Sequence, residues 1–296
     1  MPTDRPIVFA ARLPGLKFSQ LYRINPDGSR RTQLTRDARD ATFVRCSPDG
    51  KWLTFRVGYD SEKDKTRWIV DIDGKRKPRK VTDSAEFDWV RDLSESYSPD
   101  LKWQLVGDAL IDTRTEKETK LDGVTDKDVV EWLDSKWLVA VGEDAKKPET
   151  TMIRVYGTNG KLRHQHALEL PKSERDRFDE EAGYSDVWQL HRVPIEDKFV
   201  LSRLGGGNRE GKWPVGLLVD AGTGKATFWG EFGYSGMFFS PDGKWFVTAL
   251  NRKNPETTKQ ENTLYLAPTS APLKRKPLVK DADIVVVDWL GVLASG

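Results

Sequence analysis

The sequence predicts an all-β chain, a six-bladed β-propeller of four-stranded antiparallel blades, with a seven-bladed or incomplete propeller as the alternative. Three observations predict it: a polar turn string recurs along the chain, an apolar β-rich run follows each copy, and hairpin turns of the Asp-Gly or Asn-Gly kind come next.

The turn string is clearest at Ser47-Pro48-Asp49-Gly50-Lys51-Trp52 and Ser240-Pro241-Asp242-Gly243-Lys244-Trp245. It is worn at Ser98-Pro99-Asp100-Leu101-Lys102-Trp103 and faint at Asp134-Ser135-Lys136-Trp137 and Glu196-Asp197-Lys198-Phe199. Pro presets one φ, Asp bonds nearby backbone and Gly accepts a positive φ, so the string makes a tight turn between extended segments. The runs that follow, at 52–57, 103–106, 137–141, 199–204 and 245–250, are read as the first, innermost strands of blades, with 7–11 as a sixth. They are short and apolar on both faces, as strands covered on both sides must be.

Second strands end at Asn25-Pro26-Asp27-Gly28, Asp73-Gly74, Asn159-Gly160 and Gly222-Thr223-Gly224, turns that tolerate left-handed backbone and close hairpins. Short third strands follow at 31–35 and 79–82, and fourth strands at 41–45, 87–93, 129–133 and 284–290. A β-sandwich is the rival reading, but sandwiches do not repeat whole four-strand units. A polar, strongly acidic insert at 171–185 stretches the fourth blade and carries the helix-compatible pattern of the chain. The tail Asp288-Trp289-Leu290-Gly291-Val292-Leu293 either begins a seventh unit or lies against the first blade. Closure is the preferred reading, because an open ring leaves two unpaired strand edges.

Residues 1–296 are read as one domain, a size that propellers reach as a single unit. With 48 basic and 46 acidic side chains there is no general field to draw in a polyanion, so nucleic acid is not expected as a partner. The single cysteine, Cys46, reads as a small buried hydrophobe. No apolar run approaches the ~20 residues of a bilayer span, and no secretory signal is present. The compartment stays open: cytoplasmic on the chain as given, periplasmic if a signal was removed. A monomer is expected.

The pattern Leu21-Tyr22-Arg23-Ile24-Asn25-Pro26-Asp27-Gly28, then Gln33-Leu34-Thr35, then 46–55 with its Ser-Pro-Asp-Gly-Lys-Trp core, resembles the repeat of TolB-like propellers, itself WD-repeat-like. The resemblance is specific in the first unit and before Trp245, and the spacing extends it over nearly the whole chain. It implies a propeller of six or seven blades that binds proteins or peptides, in a bacterial periplasm or as the non-catalytic domain of a larger peptidase. The sequence has no counterpart of the separate N-terminal domain carried by the family's periplasmic member.

The residues offer little chemistry beyond that. Asp49 and Asp242 are explained by their turns. His164 and His166 alternate on a strand and so share a face, but no third ligand is placed beside them, and neither metal nor cofactor is expected. Gly233-Tyr234-Ser235-Gly236 is no nucleophile elbow, and 204–208 is no phosphate loop. Trp52, Trp103, Trp137 and Trp245 share one repeat position and read as packing between blades, whereas Trp213 and Trp229 are the candidates for an exposed sugar-stacking surface. The basic runs 75–80 and 274–276 read as solvated sheet edges, with an anionic partner as the alternative.

The long connections at 58–66, 142–150, 205–213, 251–262 and 172–186 all fall at one end of the blades, which is therefore expected to be the working face. Arg12, Arg56, Asp108, Glu143, Arg203 and Asn251 sit at or near the ends of the innermost strands and define a channel mouth that would grip a peptide terminus, a carboxylate or a metal ion, or else pair among themselves. The leading functional reading is a non-catalytic module that binds a protein or peptide. The alternatives are a propeller hydrolase or lyase acting on a saccharide or small ester in the channel, and a domain cut from a multidomain protein.

Overall fold

The computed structural model describes residues 5–37, 39–46, 51–57, 67–81, 96–100, 102–147, 150–176, 188–195, 197–203, 215–231, 237–253, 260–280 and 282–289. In chain order the strands are β1 (Ile7–Arg12), β2 (Gln20–Ile24), β3 (Thr32–Gln33), β4 (Ala41–Cys46), β5 (Trp52–Val57), β6 (Arg67–Asp71) and β7 (Arg79–Lys80). They continue as β8 (Ser96–Tyr97), β9 (Trp103–Val106), β10 (Ala109–Asp112), β11 (Glu118–Lys120), β12 (Val129–Trp132), β13 (Trp137–Glu143), β14 (Thr151–Gly157) and β15 (Leu162–Ala167). The last are β16 (Trp188–Arg192), β17 (Lys198–Arg203), β18 (Val215–Asp220), β19 (Ala226–Glu231), β20 (Met237–Phe239), β21 (Trp245–Lys253), β22 (Gln260–Pro268), β23 (Lys276–Val279) and β24 (Asp283–Trp289).

These strands make six four-stranded antiparallel sheets. Five take consecutive strands, β4 to β7, β8 to β11, β12 to β15, β16 to β19 and β20 to β23; the sixth has the order β24-β1-β2-β3 and so joins both ends of the chain. In that sheet Ile7 pairs with Trp289, Phe9 with Val287 and Arg12 with Asp283. Contacts divide the chain into two units, one of Met1–Leu93 with Phe232–Ser295 and one of Ser94–Glu231, with three sheets in each. Within the first unit β24 packs against β4 and β20; within the second β12 packs against β8 and β16. In each unit the sheets therefore meet along their first strands.

The phase of the repeat differs from the sequence reading by one strand. The aromatic-led runs β5, β9, β13, β17 and β21, with Trp at the head of all but β17, which has Phe199, are the second strands of their sheets, and β4 and β12, read as outer fourth strands, are first strands of the sheet that follows. The reason lies in the polar turn. A tight turn joins strands that pair with each other, so the run before it belongs to the same sheet as the run after it.

Ser240 shows how the turn works: its Oγ donates to Asp242 Oδ1 at 2.6 Å and accepts the Trp245 N–H at 3.0 Å, while Asp242 accepts the Lys244 N–H at 3.2 Å. Ser98 and Asp100 repeat the arrangement ahead of Trp103. The copy at Ser47 lies outside the described residues.

Apolar clusters fill the spaces between neighbouring sheets of a unit. One joins β1 and β2 to β21 and β22 through Phe9, Tyr22, Val247 and Leu264, with Trp245 packed against it. Another joins β13 and β14 to the β16–β19 sheet, with Trp137 at its margin; a third joins Leu110 to Trp132, Leu138 and Tyr156, with Trp103 alongside. Trp103, Trp137 and Trp245 thus serve inter-sheet packing, as their shared position in the repeat predicted, and Trp52 packs on Ile69 of its own sheet. Second strands such as β13 are covered on both faces, with Leu138, Val139, Ala140 and Val141 fully buried, which is why they read as continuous apolar runs.

A second device ties adjacent sheets of a unit. The turn from third to fourth strand rests on the sheet before it: Gly224, at φ +75°, stands so close to Ala167 that a Cβ would lie 2.5 Å from its carbonyl oxygen. The Glu169 N–H donates to Gly224 O at 2.9 Å and the Ala226 N–H to Glu169 O at 2.8 Å. Gly160 meets the Lys120 carbonyl in the same way. Glycine is required there twice over, for the left-handed φ and for the close approach.

Candidate functional site

Antiparallel order sends the connections from second to third strand, and from fourth strand to the next sheet, to one end of each sheet. The other end carries tight turns such as 158–161 and 240–244. The one-strand change of phase leaves this grouping intact. Of the long connections, 58–66 and 205–213 lie outside the described residues. The one expected over 251–262 is shorter, because β21 runs to Lys253 and β22 begins at Gln260. In the insert, 172–176 forms a single helical turn and 177–187 lie outside the described residues.

The six residues named from sequence take corresponding places, at the ends of second strands beside the beginnings of first strands, rather than on innermost strands. Arg12, Glu143 and Arg203 are the last residues of β1, β13 and β17; Arg56 is next to last in β5; Asn251 lies in β21 and Asp108 in the turn after β9. Nothing is described of the side chains of Arg203 and Asn251. Arg56 faces Thr42 of β4 and Arg67 of β6 in register. Asp108 is partly exposed and stands 4.0 Å from Lys120 Nζ.

Three aspartates hold sheet-to-sheet crossings, Asp40 and Asp283 in the first unit and Asp128 in the second, and the sequence reading missed them. Asp283 accepts from Arg12 Nη2 at 2.7 Å and from Asn262 Nδ2 at 3.4 Å. Asp40 accepts from the Ser19 N–H and hydroxyl at 2.7 and 3.0 Å. Asp128 is almost wholly buried: it accepts from the Thr125 N–H at 2.7 Å and from Arg154 Nη1 at 3.0 Å, and Arg154 Nη2 donates to the Glu143 carbonyl at 2.9 Å. Each carboxylate pins a crossing to a neighbouring strand. The available signal was an Asp at the head of an apolar run, in Asp40-Ala41, Asp128-Val129 and Asp283-Ile284. The amide oxygen of Asn262, a residue only 8% exposed, has no donor among the described residues.

The other candidates fall elsewhere. His164 and His166 share a face, with ring centroids 5.5 Å apart, and among the described residues no group of three potential metal ligands forms. His191 is on β16, where Nε2 is 3.0 Å from Ser202 Oγ and burial lowers its pKa to about 4. Ser202 is fully buried, and His191 beside it is only partly exposed. Trp229, expected to be exposed, is 4% exposed. Residues 168–176 lie along its strand β19, with Glu169 bridging Lys225 and Glu174 accepting the Phe228 N–H at 2.7 Å, so the outer edge is covered. Trp213 lies outside the described residues. Among the described residues no helix is long and apolar enough to cross a membrane.

No protein-family model matches the sequence, and no curated protein does. Among solved structures, TolB from Acinetobacter baumannii aligns with a TM-score of 0.57 at 15% identity, over 98% of this chain and 68% of that one. The fold is a TolB-like β-propeller. At this identity the likeness speaks for the fold alone. A putative 6-phosphogluconolactonase from Bacteroides uniformis aligns at a TM-score of 0.49 with 11% identity, over 97% of this chain and 100% of that one. The β-propeller domain of the Trilobed protease from Pyrococcus furiosus aligns at 0.34 with 14% identity, over 94% and 68%. Both are too loose to carry an argument.

Proposed function

We propose that the six sheets are the blades of one closed propeller spanning 1–296, clasped by β24 on β1, and that it acts as a monomeric, non-catalytic module that takes a protein or peptide at the blade ends where second strands finish. The observation that carries the reading is the group of Arg12, Asp283 and Asn262. The exposed Arg12 guanidinium and the part-exposed Asp283 carboxylate keep donors and lone pairs beyond their mutual bond and so offer both to a peptide backbone. The crossings that carry these groups are pinned by buried or part-buried aspartates, so the ends are preorganised, which limits the entropy lost on binding. Long connections gathered at the same end supply variable surface on a rigid scaffold.

The test is affinity capture from the source cell with the intact chain, followed by titration of the recovered partner. One partner is expected, and its binding should be lost in the Arg12→Ala, Arg56→Ala double variant while the melting temperature stays within a few degrees. Recovery of no partner, undiminished binding by the variant, or turnover in a broad screen of esters and glycosides would each refute the proposal.

A further inference from the structure

A second surface of the first unit has the form of a binding cleft. Between the β24-β1-β2-β3 sheet and the β4–β7 sheet, on the flank of their third and fourth strands, lies a cavity of about 410 Å³, within the usual range for ligand sites. Its apolar wall is Phe55 and Trp68, whose rings stand 6.5 Å apart; its rim carries Arg36, Lys75, Arg76 and Lys77, against one carboxylate, Asp37.

The rim is held in place. Asp71 accepts the N–H groups of Lys75 and Arg76 at 3.0 and 2.6 Å. Asp73 bonds Arg23 of the neighbouring sheet at 2.7 Å and Lys75 at 3.1 Å, and these two bonds, that from Lys75 first, hold its carboxyl below the usual range. Gly74 rests on Leu34, where a Cβ would lie 3.1 Å from Cδ2.

We propose that this cleft is a docking site for an acidic peptide segment, which buries one aromatic or aliphatic side chain against Trp68 and sets flanking carboxylates on Arg36 and the cations at 75–77. Charge complementarity selects the occupant: four cations beside the aromatic wall outnumber Asp37 and the Asp73 that pairs with Lys75, while a formal net charge of only +2 gives the chain no long-range field to hold a polyanion. Side chains carry the recognition, because the edge strands β3 and β7 have two residues each and are too short to template an added strand.

The test is fluorescence anisotropy on the full chain with a labelled peptide in which phenylalanine is flanked on both sides by glutamates. The peptide should bind, more weakly as salt rises, and the exposed double reversal Arg36→Glu, Lys77→Glu should weaken it about tenfold or more with an unchanged circular dichroism spectrum. Arg12→Ala should leave it unaffected, which keeps this site distinct from the proposed blade-end site. Absence of binding, equal binding of a peptide with alanine for phenylalanine, or tighter binding of a short DNA duplex would overturn the proposal.

Discussion

Replacing Gly224 with alanine asks whether the third-to-fourth turn is a docking point between sheets or only a tight turn. The new Cβ faces two penalties. The φ of +75° costs an L-residue about 1–2 kcal/mol. The methyl would also stand 2.5 Å from the Ala167 carbonyl oxygen and 2.7 Å from His166 Cβ, so the turn must withdraw. Withdrawal weakens the Glu169 N–H bond to Gly224 O at 2.9 Å and the Ala226 N–H bond to Glu169 O at 2.8 Å, each worth about 1 kcal/mol. The sum is about 3–4 kcal/mol. At roughly 2.1 cal/mol/K of unfolding entropy per residue, that lowers the melting temperature by about 5–6 °C.

Two sites in the same chain separate the contributions. Gly15, at φ +82°, has open space where a Cβ would go, so Gly15→Ala should show the φ cost alone; Gly222 has no positive φ and its nearest neighbour is Asp220 Oδ1 at 3.5 Å, so Gly222→Ala should be near neutral. Urea unfolding of the three variants is the assay. If Gly224→Ala cost no more than Gly15→Ala, the inter-sheet contact would be energetically empty and the docking account wrong.

Asp128 and Arg154 are 3% and 13% exposed, so Asp128→Ala should cost about 3–5 kcal/mol by stranding the guanidinium, and adding Arg154→Leu should recover part of it; additive losses in a double-mutant cycle would contradict a coupled pair. Burial of His191 predicts a defined pH dependence. Its folded pKa of about 4 lies below the ~6.5 of an unfolded histidine, so the unfolded chain takes up the proton first. The corresponding stability is intact above pH ~6.5 and is lost as pH falls toward 4, by at most ~3 kcal/mol and by less because His191 is only partly buried. His191→Gln should flatten the fall in denaturant stability between pH ~7 and ~4.5; an unchanged slope would show that the ring is not desolvated.

The strands were legible where local chemistry sets them. Ser240, Asp242 and Trp245 sit in one turn whose bonds span five residues or fewer, and such turns mark where second strands begin. The phase of the repeat was harder, because two first strands carry little signal, β8 being only Ser96–Tyr97 and β20 only Met237–Phe239, and β4 and β12, legible as strands, carry no local mark of the sheet they belong to. The charged blade ends could be read as residues but not as a constellation. Arg12 and Asp283 are 271 positions apart, and nothing local announces the pair. Gly224 could be read as a turn residue from its neighbours, while its contact with Ala167 belongs to the packing of a different sheet. The cover along the edge of β19, the strand of Trp229, comes from more than fifty residues upstream and is equally invisible locally.

The pairing of β24 with β1 is the step on which the proposed ring closure depends, and disulfide trapping tests it directly. Arg12 and Asp283 are exposed register partners. In a Cys46→Ser background, Arg12→Cys with Asp283→Cys should oxidise rapidly to an intramolecular disulfide under native conditions, and Arg12→Cys with Val285→Cys should not. Equal rates for the two pairs, or no intramolecular disulfide in the first, would contradict a sheet built from both ends of the chain.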